Sequence, residues 1–240
     1  MNRPRLTSSV IPNLFTSLNM FCGFLSILSA SEGNYIYSAW LIFTAAIFDA
    51  LDGLVARLTN SSSELGVELD SLSDIVSFGA APSFLLYKSF FYSMDTWGII
   101  ISAVPLIAGG FRLARFNVQL VGFSKSFFLG LPIPSSALTI ASFVLGFYNE
   151  GYPKPISDFI TPMILVLSFL MVSNIRYETL PKLSLQGLKE KPYHFIFLIV
   201  SAILVAIMNK KGLFLVFVFM IVIGILRHLY KLITSRSNNN

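Results

Sequence analysis

Eight stretches of this chain are apolar over roughly the 20 residues that a helix needs to cross a bilayer. They run over residues 11–30, 36–58, 65–92, 96–119, 134–149, 157–176, 193–209 and 212–233; the fifth is short and the first is polar on one side. Turn-forming clusters separate them, among them Ser31-Glu32-Gly33-Asn34, Asn60-Ser61-Ser62-Ser63, Gly151-Tyr152-Pro153-Lys154-Pro155 and Asn209-Lys210-Lys211-Gly212. Hydrocarbon offers no water to the backbone, so each segment must close its hydrogen bonds internally, as a helix does. The expected fold is all-α, a polytopic integral membrane helical bundle with about eight transmembrane helices. Composition agrees: 12% charged residues is roughly half of what a soluble domain carries.

The single cysteine, Cys22, excludes an internal disulfide framework and a cysteine-rich metal site. Arg3 and Arg5 precede an apolar run, as in a signal peptide, but no small-residue cleavage site follows. Asn13, Thr16 and Asn19 interrupt that run, which therefore reads as a retained first helix. Residues 120–134, rich in Gly, Ser, Phe and Pro, read as an interfacial loop whose Gly130-Leu131-Pro132-Ile133-Pro134 stretch breaks a helix.

With eight spans and a cytoplasmic N-terminus, Lys88, Lys154, Lys210 and Lys211 fall outside. The other thirteen of the 17 basic residues fall on the cytoplasmic side. That asymmetry fits the positive-inside rule, so both termini and the turn between the second and third spans are expected in the cytoplasm. The net charge of +5 is dispersed over helix ends, which suits orientation and anionic lipid headgroups and not nucleic acid.

Four aspartates stand inside this apolar frame, as Asp49-x-x-Asp52-Gly53-x-x-Ala56-Arg57, eight residues, then Gly66-x-x-x-Asp70-x-x-x-Asp74. Ionisable groups at membrane depth are costly and mark function. On helices, steps of three and four place Asp49, Asp52, Gly53, Ala56 and Arg57 on one arc, and Gly66, Asp70 and Asp74 on another. Two such faces packed together bring four carboxylates to one place with no cation of their own, an arrangement that calls for divalent metal. Without histidine or cysteine in the motif, the all-oxygen donor set favours Mg²⁺ or Mn²⁺ over zinc.

The motif resembles the signature of the CDP-alcohol phosphotransferase family, with every fixed position filled. Ile11-Pro12-Asn13-Leu14-Phe15-Thr16 looks like the family's N-terminal helix start. Phe111-Arg112-Leu113-Ala114-Arg115-Phe116-Asn117, Gly130-Leu131-Pro132-Ile133-Pro134 and Met171-Val172-Ser173-Asn174-Ile175-Arg176-Tyr177 look like the branch whose acceptor is L-serine. The resemblance implies a catalytic core over residues 1–177, followed by a C-terminal hairpin and polar tail over 178–240. It implies transfer of a phosphatidyl group from CDP-diacylglycerol to the serine hydroxyl, giving phosphatidylserine and CMP in the cell membrane. A homodimer is expected. Asp49, Asp52 and Asp70 are expected to hold two metal ions, with Asp74 both ligand and general base. Asn13, Thr16, Asp49, Asp52, Gly53, Ala56, Arg57, Ser63 and Gly66 are the expected donor contacts.

The residue chemistry is compatible with those roles. Gly53 and Ala56 lack bulk where a nucleotide would lie against the helix, and Arg57 offers a planar fork for phosphate or the cytosine carbonyl. Arg112, Arg115, Asn117 and Arg176 are the candidates for the serine pocket. Which arginine takes the serine carboxylate and which the donor phosphate is open at this stage. Two rivals stand beside this reading: a sister enzyme whose acceptor is glycerol phosphate or inositol phosphate, and a cation transporter with an acidic intramembrane site.

Overall fold

The computed structural model of the chain describes residues 6–59, 63–120, 127–178 and 192–237. Helix α1 (Leu6–Ser31) and α2 (Tyr35–Thr59) form an antiparallel pair, joined by a turn in which Gly33 takes a positive φ of 83°. The third apolar stretch is one rod in three pieces: α3 (Glu64–Asp74), a π-helical turn (Ile75–Ala80) and α4 (Ala81–Ser89). After a 3₁₀ turn comes α5 (Asp95–Leu120), followed by α6 (Ile133–Phe147), α7 (Ile156–Val172), α8 (Pro192–Met208) and α9 (Lys210–Ser237).

One departure from the all-α expectation lies in the stretch read as loop. Strand β1 (Phe127–Leu129) pairs antiparallel with β2 (Arg176–Glu178), Phe128 opposite Tyr177. Both strands lie just outside helix ends and carry aromatic residues that suit extended backbone, so their free peptide groups satisfy one another. The sixth expected span also ends early. Ser173 turns to an extended conformation (ψ 165°), its hydroxyl donating to the Leu170 carbonyl at 2.8 Å, which closes α7 at Val172.

Among the described residues, four helices are long and apolar enough to cross a membrane: Val10–Ser31, Tyr35–Thr59, Phe91–Val118 and Lys210–Lys231. Large apolar side chains face outward along the bundle, Phe21, Phe24, Ile107, Phe111 and Phe169 among them. In water such a surface would be an aggregation liability, whereas against lipid it costs nothing. The chain is a helical membrane protein.

The core lies where α1, α2, the broken rod, α5, α6 and α7 meet, around Ile42, Phe78, Leu85, Leu86, Ile133, Ile140 and Phe143. Hydroxyls stitch the rod to α1: Ser73 donates to the Thr16 carbonyl at 3.0 Å and Ser77 to the Asn19 carbonyl at 2.8 Å. At the other end of the bundle Tyr35 donates to the Lys88 carbonyl at 3.0 Å and packs edge-on against Tyr148. Helix α9 docks through Gly224, whose missing side chain makes room for the Tyr177 ring. Burial there pushes the Tyr177 phenol up to about 12.

Helix α1 and the rod approach closely at Gly23, where an added Cβ would come within 2.7 Å of the Ser77 backbone. Backbone on a packed rod cannot step aside, so Gly23→Ala must force α1 and the π turn apart. Overpacking of this kind costs about 1–3 kcal/mol. The variant is expected to show a lower unfolding midpoint in detergent by thermal fluorescence. A midpoint equal to wild type would mean that this contact does not hold the two elements together.

Candidate active site

Helix α3 starts at Ser63, an N-cap whose hydroxyl accepts from the Gly66 N–H at 3.0 Å. From that start, Asp70 and Asp74 fall on one face, one helical turn apart. The neighbouring face carries Ser73 and Ser77, which donate to α1 carbonyls. Directly after Asp74 the winding loosens into the π turn, a register change often found at functional sites. Across from them α2 presents Asp49 and Asp52.

Ligand oxygens of Asp49, Asp70 and Asp74 lie within 4.8 Å of one another. Asp74 is buried, and Oδ1 of Asp70 and Oδ1 of Asp74 accept no hydrogen bond among the described residues. Buried carboxylate oxygens without donors are expensive. A donor set of three carboxylates, all oxygen and all converging, fits a hard divalent cation such as Mg²⁺ or Mn²⁺. Asp52, the fourth expected ligand, is buried and held differently: Thr16 on α1 donates to its Oδ2 at 2.8 Å. Thr16 thus touches the site through Asp52.

The carboxylates are not without a cation, contrary to the expectation from their motif alone. α5 packs against the π turn, and Arg112, only 5% exposed, interacts electrostatically with Asp74. Its guanidinium also lies over the Phe116 ring, 5.9 Å from the centroid. The residue belongs to another segment of the chain, which is why the motif by itself does not announce it.

The remaining candidates scatter around this centre. Asn117 donates to the Ser71 hydroxyl at 2.9 Å, tying α5 to α3 beside Asp70. The Arg115 guanidinium is occupied by protein carbonyls, those of Leu129, Met171, Val172 and Ser173, and by the Asn174 side chain. A Cβ on Gly66 would lie 3.1 Å from Ser63 Oγ and 3.4 Å from Asn13 Oδ1, so Asn13 sits at the start of α3. Arg57 is exposed in the last turn of α2, with half-buried Ala56 beside it. Gly53 faces open space, with nothing within 4 Å of a built Cβ. Arg176 contributes its backbone to β2, and its side chain lies outside the described residues.

Sequence reasoning passed over Asn19. It is fully buried one turn beyond Thr16, and neither its Oδ1 nor its Nδ2 has a partner among the described residues. The signal was present: Asn13, Thr16 and Asn19 recur every three residues and make a polar stripe along an otherwise apolar helix.

A helical membrane bundle with this acidic cluster defines a class. The family model for CDP-alcohol phosphatidyltransferase matches residues 9–176, and the chain belongs to that family. Those residues include every helix that supplies the cluster.

Relatives narrow the comparison. The chain is 35% identical over 235 residues to the CDP-diacylglycerol–serine O-phosphatidyltransferase of Helicobacter pylori (strain ATCC 700392 / 26695), covering 96% of each chain. It is 42% identical over 183 residues to the archaetidylserine synthase of Methanothermobacter thermautotrophicus, covering 74% of this chain and 73% of that one. The CDP-diacylglycerol–serine O-phosphatidyltransferase of Bacillus subtilis is 34% identical over 185 residues, 75% of this chain and 96% of the relative.

Gly53 offers a clean test of where a ligand lies. No protein atom opposes a methyl there, and Ala in a helix interior is favoured over Gly by about 1 kcal/mol. Gly53→Ala is therefore expected to fold with equal or greater stability while the requirement for the CDP-linked donor rises. Donor titration at saturating acceptor reads this, and an unchanged donor KM would remove Gly53 from the binding surface.

Proposed function

We propose that this chain transfers a phosphatidyl group from CDP-diacylglycerol to the hydroxyl of L-serine, forming phosphatidylserine and releasing CMP. The observation that carries the reading is the convergence of Asp49, Asp70 and Asp74 from two helices onto one point, opposite a buried arginine. The names of the relatives supply the acceptor class. Within the same reading the catalytic core is residues 1–177, followed by a C-terminal transmembrane hairpin and polar tail over 178–240 in the same membrane domain. The chain crosses the cell membrane eight times with both termini cytoplasmic, and the site opens to the cytoplasm, where CDP-linked donors and serine are met. A homodimer belongs to this reading too, its contact on the outward apolar faces of α8 and α9, such as Ile203, Ile207 and Phe219.

In the reaction the serine oxygen attacks the lipid-side phosphorus, and the bond from that phosphorus to the bridging oxygen breaks. CMP leaves with that electron pair, and the serine hydroxyl proton passes to the Asp74 carboxylate. A carboxylate is a weak base toward an alcohol, so proton transfer accompanies bond formation and does not precede it. Asp49, Asp52, Asp70 and Asp74 would hold two Mg²⁺ or Mn²⁺ ions, which when bound supply charge neutralisation on the pyrophosphate. Thr16 orients Asp52. Asn13, Gly53, Ala56, Arg57, Ser63 and Gly66 make the donor surface, the small residues admitting the nucleotide and Arg57 meeting phosphate. Arg112 takes the serine carboxylate, and Asn117 and Arg176 complete the acceptor side. Positioning and charge neutralisation dominate phosphoryl transfer, and these residues supply both.

The direct test is CMP release from CDP-diacylglycerol in detergent micelles. Release is expected to need serine, to stop with EDTA and to return with Mg²⁺ or Mn²⁺. Release with glycerol phosphate but not serine would assign a sister activity, and cation flux without CMP would assign transport. Asp70→Asn is expected to lose turnover and metal-dependent donor binding while still folding. Asp74→Asn should keep donor binding and lose chemistry, as when a transition-state interaction is removed. Equal loss of donor affinity in both variants would make Asp74 chiefly a ligand.

The acceptor side has its own measurement. A hydrogen bond to a charged group is worth about 1.5–3 kcal/mol, so Arg112→Ala should raise the serine KM about ten- to a hundredfold. The donor KM should change far less. Lysine at 112 should recover part of the loss, keeping the charge without the fork. A selective rise absent from the alanine variant would move the serine carboxylate away from Arg112.

A further inference from the structure

Arg115 stands one helical turn from Arg112 on α5, yet its guanidinium meets no carboxylate among the described residues. Nη1 donates to the Val172 carbonyl at 2.9 Å and to Asn174 Oδ1 at 3.4 Å. Nη2 donates to the carbonyls of Leu129 at 3.1 Å, Ser173 at 3.1 Å and Met171 at 3.5 Å. Three of these carbonyls, those of Met171, Val172 and Ser173, lie at the C-terminal end of α7, where the last turn has no intrahelical donors and a cation is favoured. The Leu129 carbonyl belongs to the end of β1. One planar fork therefore joins two separate chain segments.

The joint is reinforced on either side. The Gly130 N–H donates to the Ile175 carbonyl at 2.9 Å and the Leu131 N–H to the Leu170 carbonyl at 3.0 Å. Gly130 takes a positive φ of 79°, and a Cβ there would come within 3.0 Å of the Arg115 guanidinium. From this joint the chain runs along α5 to Ile133, which packs so tightly on Gly109 that a Cβ there would lie 3.2 Å from Ile133 Cγ1. Arg112 lies midway between the two anchor points, Gly109 and Arg115. The crossing from Leu129 to Ile133 is thus fixed at both ends beside the turn of α5 that carries Arg112 opposite Asp74.

We infer that Arg115 is a positioning residue: by clamping the end of α7 to the Leu129–Ile133 crossing it sets the placement of Arg112 against Asp74, and it binds neither substrate itself. The inference rests on the transferase reading for its kinetic arm alone. A residue that holds a reacting geometry lowers turnover when removed, whereas a residue that holds substrate raises the requirement for that substrate.

The experiment compares wild type, Arg115→Ala and Arg115→Lys in detergent, by CMP release and by amide hydrogen exchange. In Arg115→Ala, kcat is expected to fall about ten- to a hundredfold, the scale set by small misplacements of reacting groups. The KM for CDP-diacylglycerol should stay within about threefold of wild type, and the serine KM should rise by less than the about ten- to hundredfold of Arg112→Ala, because Arg112 is displaced and not removed. Exchange at Gly130 and Leu131 should quicken by about tenfold or more, while amides in α1 and α2 keep their rates. Arg115→Lys, which retains charge and can donate to some of the same carbonyls, should recover part of both kcat and protection. A serine KM raised as far as in Arg112→Ala, with kcat and exchange at Gly130 and Leu131 near wild type, would overturn the inference and make Arg115 an acceptor ligand. Unchanged exchange at Gly130 and Leu131 in the alanine variant would overturn it as well. If Arg115→Ala does not fold, the lysine variant carries the same two comparisons. If wild type itself releases no CMP, the transferase reading fails, and the exchange arm decides the clamp alone.

Discussion

Negative charge gathered inside a membrane protein is the constraint that the rest of this structure serves. Ionised together, three carboxylates within 4.8 Å of one another repel by roughly 3–4 kcal/mol per pair at an effective dielectric constant near 20. A bundle can carry that only if its walls are rigid and its countercharges are placed. The walls are the stitched pair of α1 and the broken rod, with Ser73 and Ser77 bonded to α1 carbonyls and Gly23 allowing backbone-to-backbone approach. The countercharge from the protein is Arg112, and a divalent cation fits the remaining oxygens. Fold and chemistry are therefore one problem here, since loosening the bundle would let the carboxylates separate.

The hydroxyl groups answer to the same constraint. Ser73, Ser77 and Thr16 all sit where lipid-depth helices meet, and each donates to a carbonyl or carboxylate on another helix. In hydrocarbon there is no hydrophobic drive between apolar helices, so close packing and interhelical hydrogen bonds supply association. The Thr16 hydroxyl has two acceptors in reach of its one proton, the Pro12 carbonyl of its own helix at 3.1 Å and, closer, Asp52 Oδ2 across the interface at 2.8 Å. The first helix is thus part of the site's scaffold as well as the first segment of the bundle.

What could be read directly from the residues is what is local. Asp49 with Asp52, and Asp70 with Asp74, are separated by three and four positions, and helical geometry alone puts each pair on one face. The apolar lengths that mark α1, α2 and α5 are equally local. Contacts between distant segments were not legible: the Thr16–Asp52 hydrogen bond joins residues 36 apart, and the Arg115 bonds reach 57 positions to Val172. Arg112 and Arg115 share a motif and a helix face, so the sequence treats them alike, while the structure gives one to a carboxylate and the other to helix-end carbonyls. The π turn was hidden for a different reason. Ile75 to Ala80 reads Ile-Val-Ser-Phe-Gly-Ala, and nothing in its pattern distinguishes i→i+5 hydrogen bonding from i→i+4.

The pairing of Arg112 with Asp74 also has a meaning in time. A chain made from its N-terminus delivers α1, α2 and α3 before α5 exists. All four aspartates are therefore present before the arginine that faces them has been synthesised, separated from Asp74 by the π turn, α4 and most of α5. Until α5 is made, Arg112 supplies these carboxylates no countercharge, and burying them at membrane depth without one is costly. A buried arginine that faces Asp74 from a later helix thus gives the closing of the bundle an order as well as a geometry.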